Sequence, residues 1–399
     1  MTTPQRRKRP KDRREQIARA AAEDFGRRGY HGVGIEDIAA ALNISGPAVY
    51  RHFSNKYALL EHAITTLSNA LTAGVADAIA GAADAAPAAR LDAALAAAFD
   101  VSVQRRDTGG LFRWEQRILE ADDRARIRRQ LGVMVGQVAD VAAELYPQMP
   151  RAELELRTVA ALSVPGSVTA HRTVLAQRRA GAVLLAAARA VFDPQPVPVG
   201  LYHIAAPEDP RPEQDRAEEL LDAAIELFFA HGYHSVSMGQ IGTAAGIVQS
   251  GVYRYFPSKA AMLVGVLESV GAETIAAIDE AQAAGRTDPR DVLDRMCAAY
   301  VELSFRRSKV MTVYFREIGN VPDSDRRRLA GLQRGNIGRC ADAVVAARPE
   351  LSRAEAVYLV HAAFAVVFDV GRTCRFDPDP AFQEFVYGLV RQILLGPAA

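Results

Sequence analysis

The chain has 399 residues, of which 49% are hydrophobic and 24% charged, a balance that excludes a disordered chain and suits two to four globular domains. Its formal net charge of +1 gives no general attraction to nucleic acid, and three widely separated cysteines without C-x-x-C spacing argue against a disulfide framework or a zinc site. The N-terminus lacks the apolar run of a secretory signal, and the longest apolar stretches fall short of the roughly 18 residues of a membrane span. We therefore expect a cytoplasmic protein with no membrane contact.

The first predicted element is a basic N-terminal arm over residues 1–11. Residues 1–14 hold seven arginines or lysines against one acid, Asp12. Such a concentration of positive charge favours contacts with nucleic-acid phosphates or the minor groove, and the alternative is a solvated tail. The candidate DNA contacts in the arm are Arg6, Arg7, Lys8 and Arg9.

Residues 12–60 carry the apolar periodicity of three helices. The first ends at Gly29, the second covers Glu36–Leu42, and a turn at Asn43–Ser45 leads to the third, Pro47–Phe53. Ser45 is predicted to cap the third helix, and proline suits its first turn. Four side chains can form a small core that fixes the angle between the last two helices: Ile38, Ile44, Val49 and Phe53. This arrangement is typical of a helix-turn-helix.

The third helix of this unit is the candidate reader of base edges in a major groove. With Val49 and Phe53 turned inward, the residues predicted to face outward are Gly46, Pro47, Ala48, Arg51 and His52, beside Ser45. Tyr50 and Lys56 are candidate phosphate contacts, Lys56 because it opens the next helix.

The chain then repeats itself at an offset of 203 residues. Between Arg13–Leu60 and Arg216–Leu263, 20 of 48 ungapped positions are identical, and fainter similarity continues beyond them. Each half is therefore one complete copy. The predicted domains are two helix-turn-helix heads at 12–60 and 215–263 and two helical bodies at 61–193 and 264–399. Residues 194–214 contain six prolines, which predicts an extended linker.

The second copy offers its own set of candidate DNA contacts, which are Gln249, Ser250, Tyr253, Arg254, Tyr255 and Lys259. Gln249 is suited to adenine, as Arg51 is to guanine. The surrounding charge differs between the copies: residues 1–60 have a net charge of +6, and residues 205–263 have −4. No acid lies between Gly232 and Lys259, so the second reading surface itself remains free of negative charge.

The Tyr-Arg-His-Phe-x-x-Lys-x-x-Leu-Leu run at 50–60 and the Tyr-Arg-Tyr-Phe-Pro-Ser-Lys run at 253–259 resemble the signature of the TetR family. The resemblance implies an all-α fold of two tandem units, each with a three-helix DNA-binding head and a larger helical body for ligand binding and dimerisation. The family usually has Ser or Thr at the start of the second helix, as cap and phosphate contact. Ser237 keeps this residue, Gly34 departs from it, and Val248 replaces the cap residue Ser45.

By that resemblance we expect a repressor that binds double-stranded DNA at an imperfect palindromic operator and responds to a small, largely apolar effector. No nucleotide-binding, zinc-protease or nucleophile-elbow motif is present, so we expect no enzyme, no cofactor and no metal. An alternative is that only the first head binds DNA and the second half is a dimerisation or interaction module.

The bodies give weaker signals, because a ligand pocket and a helical core use the same residues. The candidate ligand contacts are Phe112, Trp114, His171, Tyr314, Phe364 and Phe368, although an ordinary core position is the commoner role for each. Pro165-Gly166 interrupts the predicted helix Glu153–Leu175, and the second copy has no such break. The last two helices of each copy are predicted to pair within one chain as a pseudo-dimer, with further self-association left open.

Overall fold

The computed structural model of the protein describes residues 10–106, 108, 111, 118–193, 216–283 and 288–396. Within these residues every regular element is a helix, which confirms the all-α class. The candidate arm contacts Arg6–Arg9, the linker 194–214 and the candidate ligand residues Phe112 and Trp114 lie outside the described residues.

The described part of the first half contains eight α-helices. They are α1 (Pro10–Arg28), α2 (Ile35–Ala41), α3 (Gly46–Tyr50), α4 (Lys56–Gly81), α5 (Pro87–Gln104), α6 (Ala121–Leu145), α7 (Arg151–Gly166) and α8 (Gln177–Ala190). A short 3₁₀ helix, Ser167–Ala170, follows α7.

The described part of the second half contains nine α-helices. They are α9 (Arg216–His231), α10 (Met238–Ala244), α11 (Gln249–Val252), α12 (Lys259–Ala283), α13 (Pro289–Arg306), α14 (Ser308–Glu317), α15 (Asp323–Ala347), α16 (Arg353–Thr373) and α17 (Pro380–Leu395). A 3₁₀ turn, Ile318–Asn320, follows α14. Helix α10 lies 203 residues after α2, and α15 lies 202 residues after α6, so the repeat seen in the sequence extends through the bodies.

Each head is a three-helix unit closed by the first turns of the long helix that follows it. In the first head Ile38, Val49 and Phe53 are buried as predicted, and Ile44 packs against them. Helix α3 is shorter than predicted, because it ends at Tyr50. The amide N–H groups of His52 and Phe53 both donate to the carbonyl of Val49, which tightens the last turn.

The turn between the second and third helices needs a left-handed backbone in both heads. Asn43 has a φ of 53° and Gly246, at the matching position, has a φ of 68°. Asparagine and glycine are the residues that adopt this conformation at least cost. The helix-turn-helix geometry is therefore encoded locally in each copy.

The two bodies share one continuous hydrophobic core. Helix α16 packs against α7 and α8, and α17 packs against α8. Val164 and Leu184 from the first half are fully buried in the same cluster as Leu359 and Val390 from the second. Polar contacts also join the halves: the Tyr358 hydroxyl donates to the carbonyl of Thr173 at 3.1 Å, and Arg179 pairs with Glu355.

The predicted interruption at Pro165 is confirmed, and it ends a helix instead of bending one. Helix α7 stops at Gly166, whereas α16 in the second half runs unbroken to Thr373. Because proline lacks an N–H group and crowds the preceding turn, it weakens the helix at this point. The chain then becomes extended at His171, and α8 starts only at Gln177.

Two helices, α12 and α16, are long and apolar enough by composition to cross a membrane. Both contribute to the core of this fold. Helix α16 has 72% of its most apolar window buried, and α12 supplies Met262 and Leu263 to the core of the second head. Core helices of this kind satisfy the same compositional test.

Candidate nucleic-acid interface

Both recognition helices present an aromatic residue and an arginine to solvent. In the first head Tyr50 is 53% exposed and Arg51 is exposed beside it, with Ala48 and His52 half-buried. In the second head Tyr253 and Tyr255 are 46% and 44% exposed, and Arg254 lies between them. Pro47, Gln249 and Ser250 are exposed as well. Hydrogen-bonding and stacking groups are thus available on one face of each head.

The prediction that Gly46 faces outward is wrong. It is buried beneath Glu36 of α2, and a β-carbon at Gly46 would overlap the Oε1 atom of that glutamate. In the second head the larger side chain lies on the third helix instead of the second, because Gln249 replaces Gly46 and Gly239 replaces Glu36. The Gln249 Oε1 lies 3.4 Å from where a β-carbon of Gly239 would be. Glu36, which the sequence pattern did not single out, therefore places a carboxylate beside the first recognition helix.

The caps of the short helices differ from the prediction in one head. Ser45 occupies the position before α3, but its side chain makes no capping hydrogen bond, so the predicted cap is wrong. Ser237 does cap α10: its Oγ accepts from the Gln240 N–H at 3.2 Å, and the Gln240 Oε1 accepts from the Ser237 N–H at 2.8 Å. Where the first copy has Gly34, the Asp37 carboxylate accepts from its N–H at 2.7 Å.

Lys56 and Lys259 are engaged inside their own heads. The Lys56 ammonium donates to the carbonyls of Tyr30 and Val33, both at 2.9 Å, and lies 4.3 Å from the Tyr30 ring centre. Lys259 makes the matching bonds to the carbonyls of Tyr233 and Val236, both at 2.8 Å. Burial lowers the pKa of both ammonium groups. A phosphate contact from either lysine stays a prediction, and it would compete with these bonds.

The two heads touch at the turns that follow their first helices. The rings of His31 and His234, which are equivalent residues in the two copies, lie 4.7 Å apart. His234 also forms a hydrogen bond with Asn320 at 2.9 Å, in the 3₁₀ turn of the second body. A β-carbon at Gly319 would lie 3.3 Å from the Cα of Gly29. The spacing between the heads is therefore linked to the packing of the second body.

The acidic helix α9 is less repulsive than its composition indicates. The Glu226 carboxylate pairs with Lys309 at 2.7 Å, and Glu219 pairs with Arg216 at 2.7 Å. Partial neutralisation reduces the negative field that this helix projects towards bound DNA.

The candidate ligand residues that the structure describes do not form a single site. His171 and Phe364 belong to the shared body core, whereas Tyr314 packs against the core of the second head. Phe364 stacks on Tyr300 at 4.2 Å, and the guanidinium of Arg372 lies 5.8 Å from the ring of Phe368. These are packing contacts, which is the commoner role for such residues.

His171 stacks on His361 across the two halves, with ring centres 4.2 Å apart and an angle of 12° between the planes. Burial, with a smaller effect of the nearby Arg106 guanidinium, lowers the pKa of His171 to about 3 and that of His361 to about 4, and for His171 repulsion from a charge on His361 also contributes. Both rings are therefore neutral at physiological pH.

Comparison with known proteins agrees with this geometry. Residues 17–63 and 220–266, which cover the two heads, match the bacterial regulatory proteins of the tetR family. The chain belongs to the TetR family. Its two DNA-binding domains stand in tandem, one at the start of each half.

Among curated relatives of this TetR-family chain, the transcriptional activator FasR of Mycolicibacterium smegmatis is 39% identical over 92 residues, which are 23% of this chain and 41% of FasR. The transcriptional repressor KstR of Mycobacterium tuberculosis is 32% identical over 75 residues, 19% of this chain and 34% of KstR. The chain thus matches less than half the length of these relatives.

Among solved structures, a TetR-family regulator from Bordetella parapertussis 12822 is 21% identical to this chain, with a TM-score of 0.41. The match covers 46% of this chain and 96% of that regulator's chain. PfmR from Thermus thermophilus is 18% identical to this chain, with a TM-score of 0.40. The match covers 45% of this chain and 99% of the PfmR chain.

Proposed function

We propose that this protein is a cytoplasmic transcription repressor that binds double-stranded DNA at an imperfect palindromic operator and is modulated by a small, largely apolar effector. The observation that carries the proposal is the pair of exposed recognition helices, each with a Tyr-Arg pair, joined to bodies that share one core. FasR and KstR, which are named as an activator and a repressor of transcription, support a role in transcription.

The two heads are proposed to recognise different half-sites. Around α3 the reading face has small apolar groups at Pro47 and Ala48, which suit a thymine methyl group, and Arg51, which suits guanine. Around α11 the face has Gln249, which suits adenine, and the larger Tyr255. Because these faces differ, the operator should be an imperfect palindrome. The arm at Arg6–Arg9 would strengthen the first half-site only.

We further propose that the two halves act as a pseudo-dimer within one chain. The packing of α16 on α7 and α8 supports this arrangement, because it buries the apolar faces that would otherwise pair with a second chain. An effector would then change DNA affinity by favouring one spacing of the heads over another.

The test starts with selection of binding sites from random duplex DNA and a footprint on the selected operator. Tyr50→Ala with Arg51→Ala and Tyr253→Ala with Arg254→Ala are then compared by fluorescence anisotropy, with both structural lysines retained. Both double variants should weaken binding, the first more strongly because its surroundings are more basic. A footprint that matches no selected sequence, or two variants that bind like the wild type, would contradict the proposal.

A salt series separates the arm from the heads. Each phosphate contact contributes about −0.9 to the slope of log K against log salt, so deletion of residues 1–10 should flatten that slope. The charge difference between the heads favours an alternative in which only the first head binds DNA. In that case the Tyr253 and Arg254 variant will bind DNA as tightly as the wild type. A footprint of a single half-site would support the same alternative.

A further inference from the structure

A pocket of about 470 Å³ lies where the first head meets the first body. Its walls come from α1, α4 and the end of α5, so both the head and the body contribute to it. Ala18, Ala22 and Leu67 form an apolar floor, and His52, which follows the recognition helix, lies at one edge. The volume lies within the range of roughly 300–1,000 Å³ in which proteins hold small molecules.

The pocket carries an excess of positive charge. Arg14, Arg19 and Arg105 line it against a single acid, Glu15. Among the residues that the structure describes, Arg19 and Arg105 form no ion pair, and the Arg14 guanidinium lies over the Phe53 ring at 5.1 Å. The Arg14 charge also contributes, after burial, to the lowered pKa of His62 in the same wall. Unpaired arginines above an apolar floor favour an organic anion.

The second half is an internal control for this feature. Leu221, Asp222 and Ile225 replace Ala18, Arg19 and Ala22 at the matching positions, and Ile225 is buried. The Leu221 Cδ2 atom lies 3.1 Å from where a β-carbon of Gly265, the counterpart of His62, would be. The matching junction of the second half nevertheless holds a pocket of about 780 Å³, lined by Asp222, Ile225 and Arg307, so open space at this place is common to both halves.

The charge is neutralised in the second half as well. Arg105 and Arg307 each follow the last residue of equivalent helices, α5 and α13. Arg307 pairs with Glu273 at 2.5 Å and with Asp222 at 3.9 Å. Unpaired arginines in the pocket at this junction are therefore a property of the first half and not a consequence of the fold.

We infer that this pocket binds an amphipathic organic anion, a carboxylate or sulfonate on a compact apolar group, with Arg19 and Arg105 holding the anion and Ala18 and Ala22 contacting the apolar part. Such a ligand bridges α1 of the head and α5 of the body, and it lies beside His52. Its regulatory effect rests on the proposed function, because occupancy would fix the head relative to the body. The apolar floor favours a small molecule over a DNA phosphate, which needs no such surface.

The probe for the test is 1-anilinonaphthalene-8-sulfonate, titrated by fluorescence into the full chain without DNA. N-phenyl-1-naphthylamine, which has the same rings without the sulfonate, reports the contribution of charge. The double variant Arg19→Gln with Arg105→Gln should weaken sulfonate binding by roughly tenfold or more and leave the neutral probe unchanged. Ala18→Leu with Ala22→Ile, which introduces the residues of the second copy, should weaken binding of both probes.

Arg128→Gln, at an exposed arginine outside the pocket, is the matched control and should bind both probes like the wild type. Sulfonate binding that is the same in the arginine double variant and the control would overturn the inference. So would loss of DNA binding in that variant with sulfonate binding intact, which would identify the arginines as phosphate contacts. If the sulfonate binds in the pocket but saturating probe leaves operator affinity unchanged, the site stands and its regulatory role under the proposed function fails.

Discussion

The lysines of the two repeated motifs have the same structural role in the two heads. Lys56 and Lys259 each hold the turn between the first two helices of a head through two backbone carbonyls. A buried carbonyl without a partner would cost about 1–3 kcal/mol, so the ammonium stabilises the turn in both copies. The Tyr-x-x-Phe-x-x-Lys spacing thus serves the fold of the head, and under the proposed function the exposed tyrosine and arginine contact DNA.

Three glycines inside helices have no packing reason to be glycine. A β-carbon at Gly132, Gly271 or Gly335 would meet no atom within 4 Å. Each Gly→Ala substitution should raise the free energy of unfolding by about 0.5–1 kcal/mol, because alanine loses less backbone entropy in a helix. Chemical denaturation of the single variants measures this. Gly242→Ala is the opposing control, since its β-carbon would lie 2.7 Å from the Ile247 carbonyl oxygen, and it should destabilise the protein.

The stacked histidines between the halves should make stability fall as the pH is lowered. In the unfolded chain both rings become protonated near pH 6.5, whereas in the folded protein the pKa values are about 3 and about 4. The unfolded state therefore binds more protons below pH 6.5, and stability is lost from that pH down to about pH 4 through His361 and down to about pH 3 through His171. Each ring contributes up to about 1.4 kcal/mol per pH unit in this interval.

His361→Phe keeps an aromatic ring against His171 and removes one titrating group. The free energy of unfolding, measured between pH 6.5 and 4.5, should depend less steeply on pH in this variant than in the wild type. Parallel curves for the two proteins would show that His361 does not stay neutral in the fold.

At the level of elements, the 3₁₀ turn Ile318–Asn320 of the second body packs against the first head. Gly319→Val would press against the backbone of Gly29 and push the heads apart. Under the proposed function, operator affinity should fall by about fivefold or more, the lower range of typical coupling between sites. Anisotropy titrations measure the change. Gly331→Val, where only the end of the Arg334 side chain is near, is the control and should bind like the wild type.

For the whole molecule, the shared core predicts that one chain is a complete folded unit. Sedimentation should give the mass of a single chain, 43.1 kDa. A protease site inserted in the linker 194–214 allows the two halves to be cut apart. After cleavage they should still migrate together in size exclusion, because the interface buries an apolar core of the kind found in obligate dimers.

Tyr358→Arg places a charge in that interface, where the tyrosine is 3% exposed and contacts Thr173 and His171 of the other half, and should make the cleaved halves separate or aggregate. Leu332→Arg, at a leucine that is 41% exposed, is the control and should leave them associated. Cleaved wild-type halves that separate at micromolar concentration would contradict a pseudo-dimer held by the shared core.

Features that depend on neighbouring residues in the chain could be predicted from the sequence. Apolar periodicity, a turn residue that accepts a left-handed backbone, and a proline inside a helix act over a few residues. The helix-turn-helix, its second copy at an offset of 203 and the end of α7 at Pro165-Gly166 could therefore be predicted. The repeat also identified the family, because both copies keep the same spacing of tyrosine, phenylalanine and lysine.

The contacts between side chains of distant segments could not be predicted from the sequence. Glu36 covers Gly46, the Lys56 ammonium bonds to two carbonyls, and the predicted ligand residues separate into different cores. The cationic pocket also depends on α5 reaching the head, and on Arg19 and Arg105 having no ion pair among the described residues, whereas Arg307 pairs with Glu273. These outcomes follow from packing and desolvation between residues far apart in the chain, for which local pattern carries no signal.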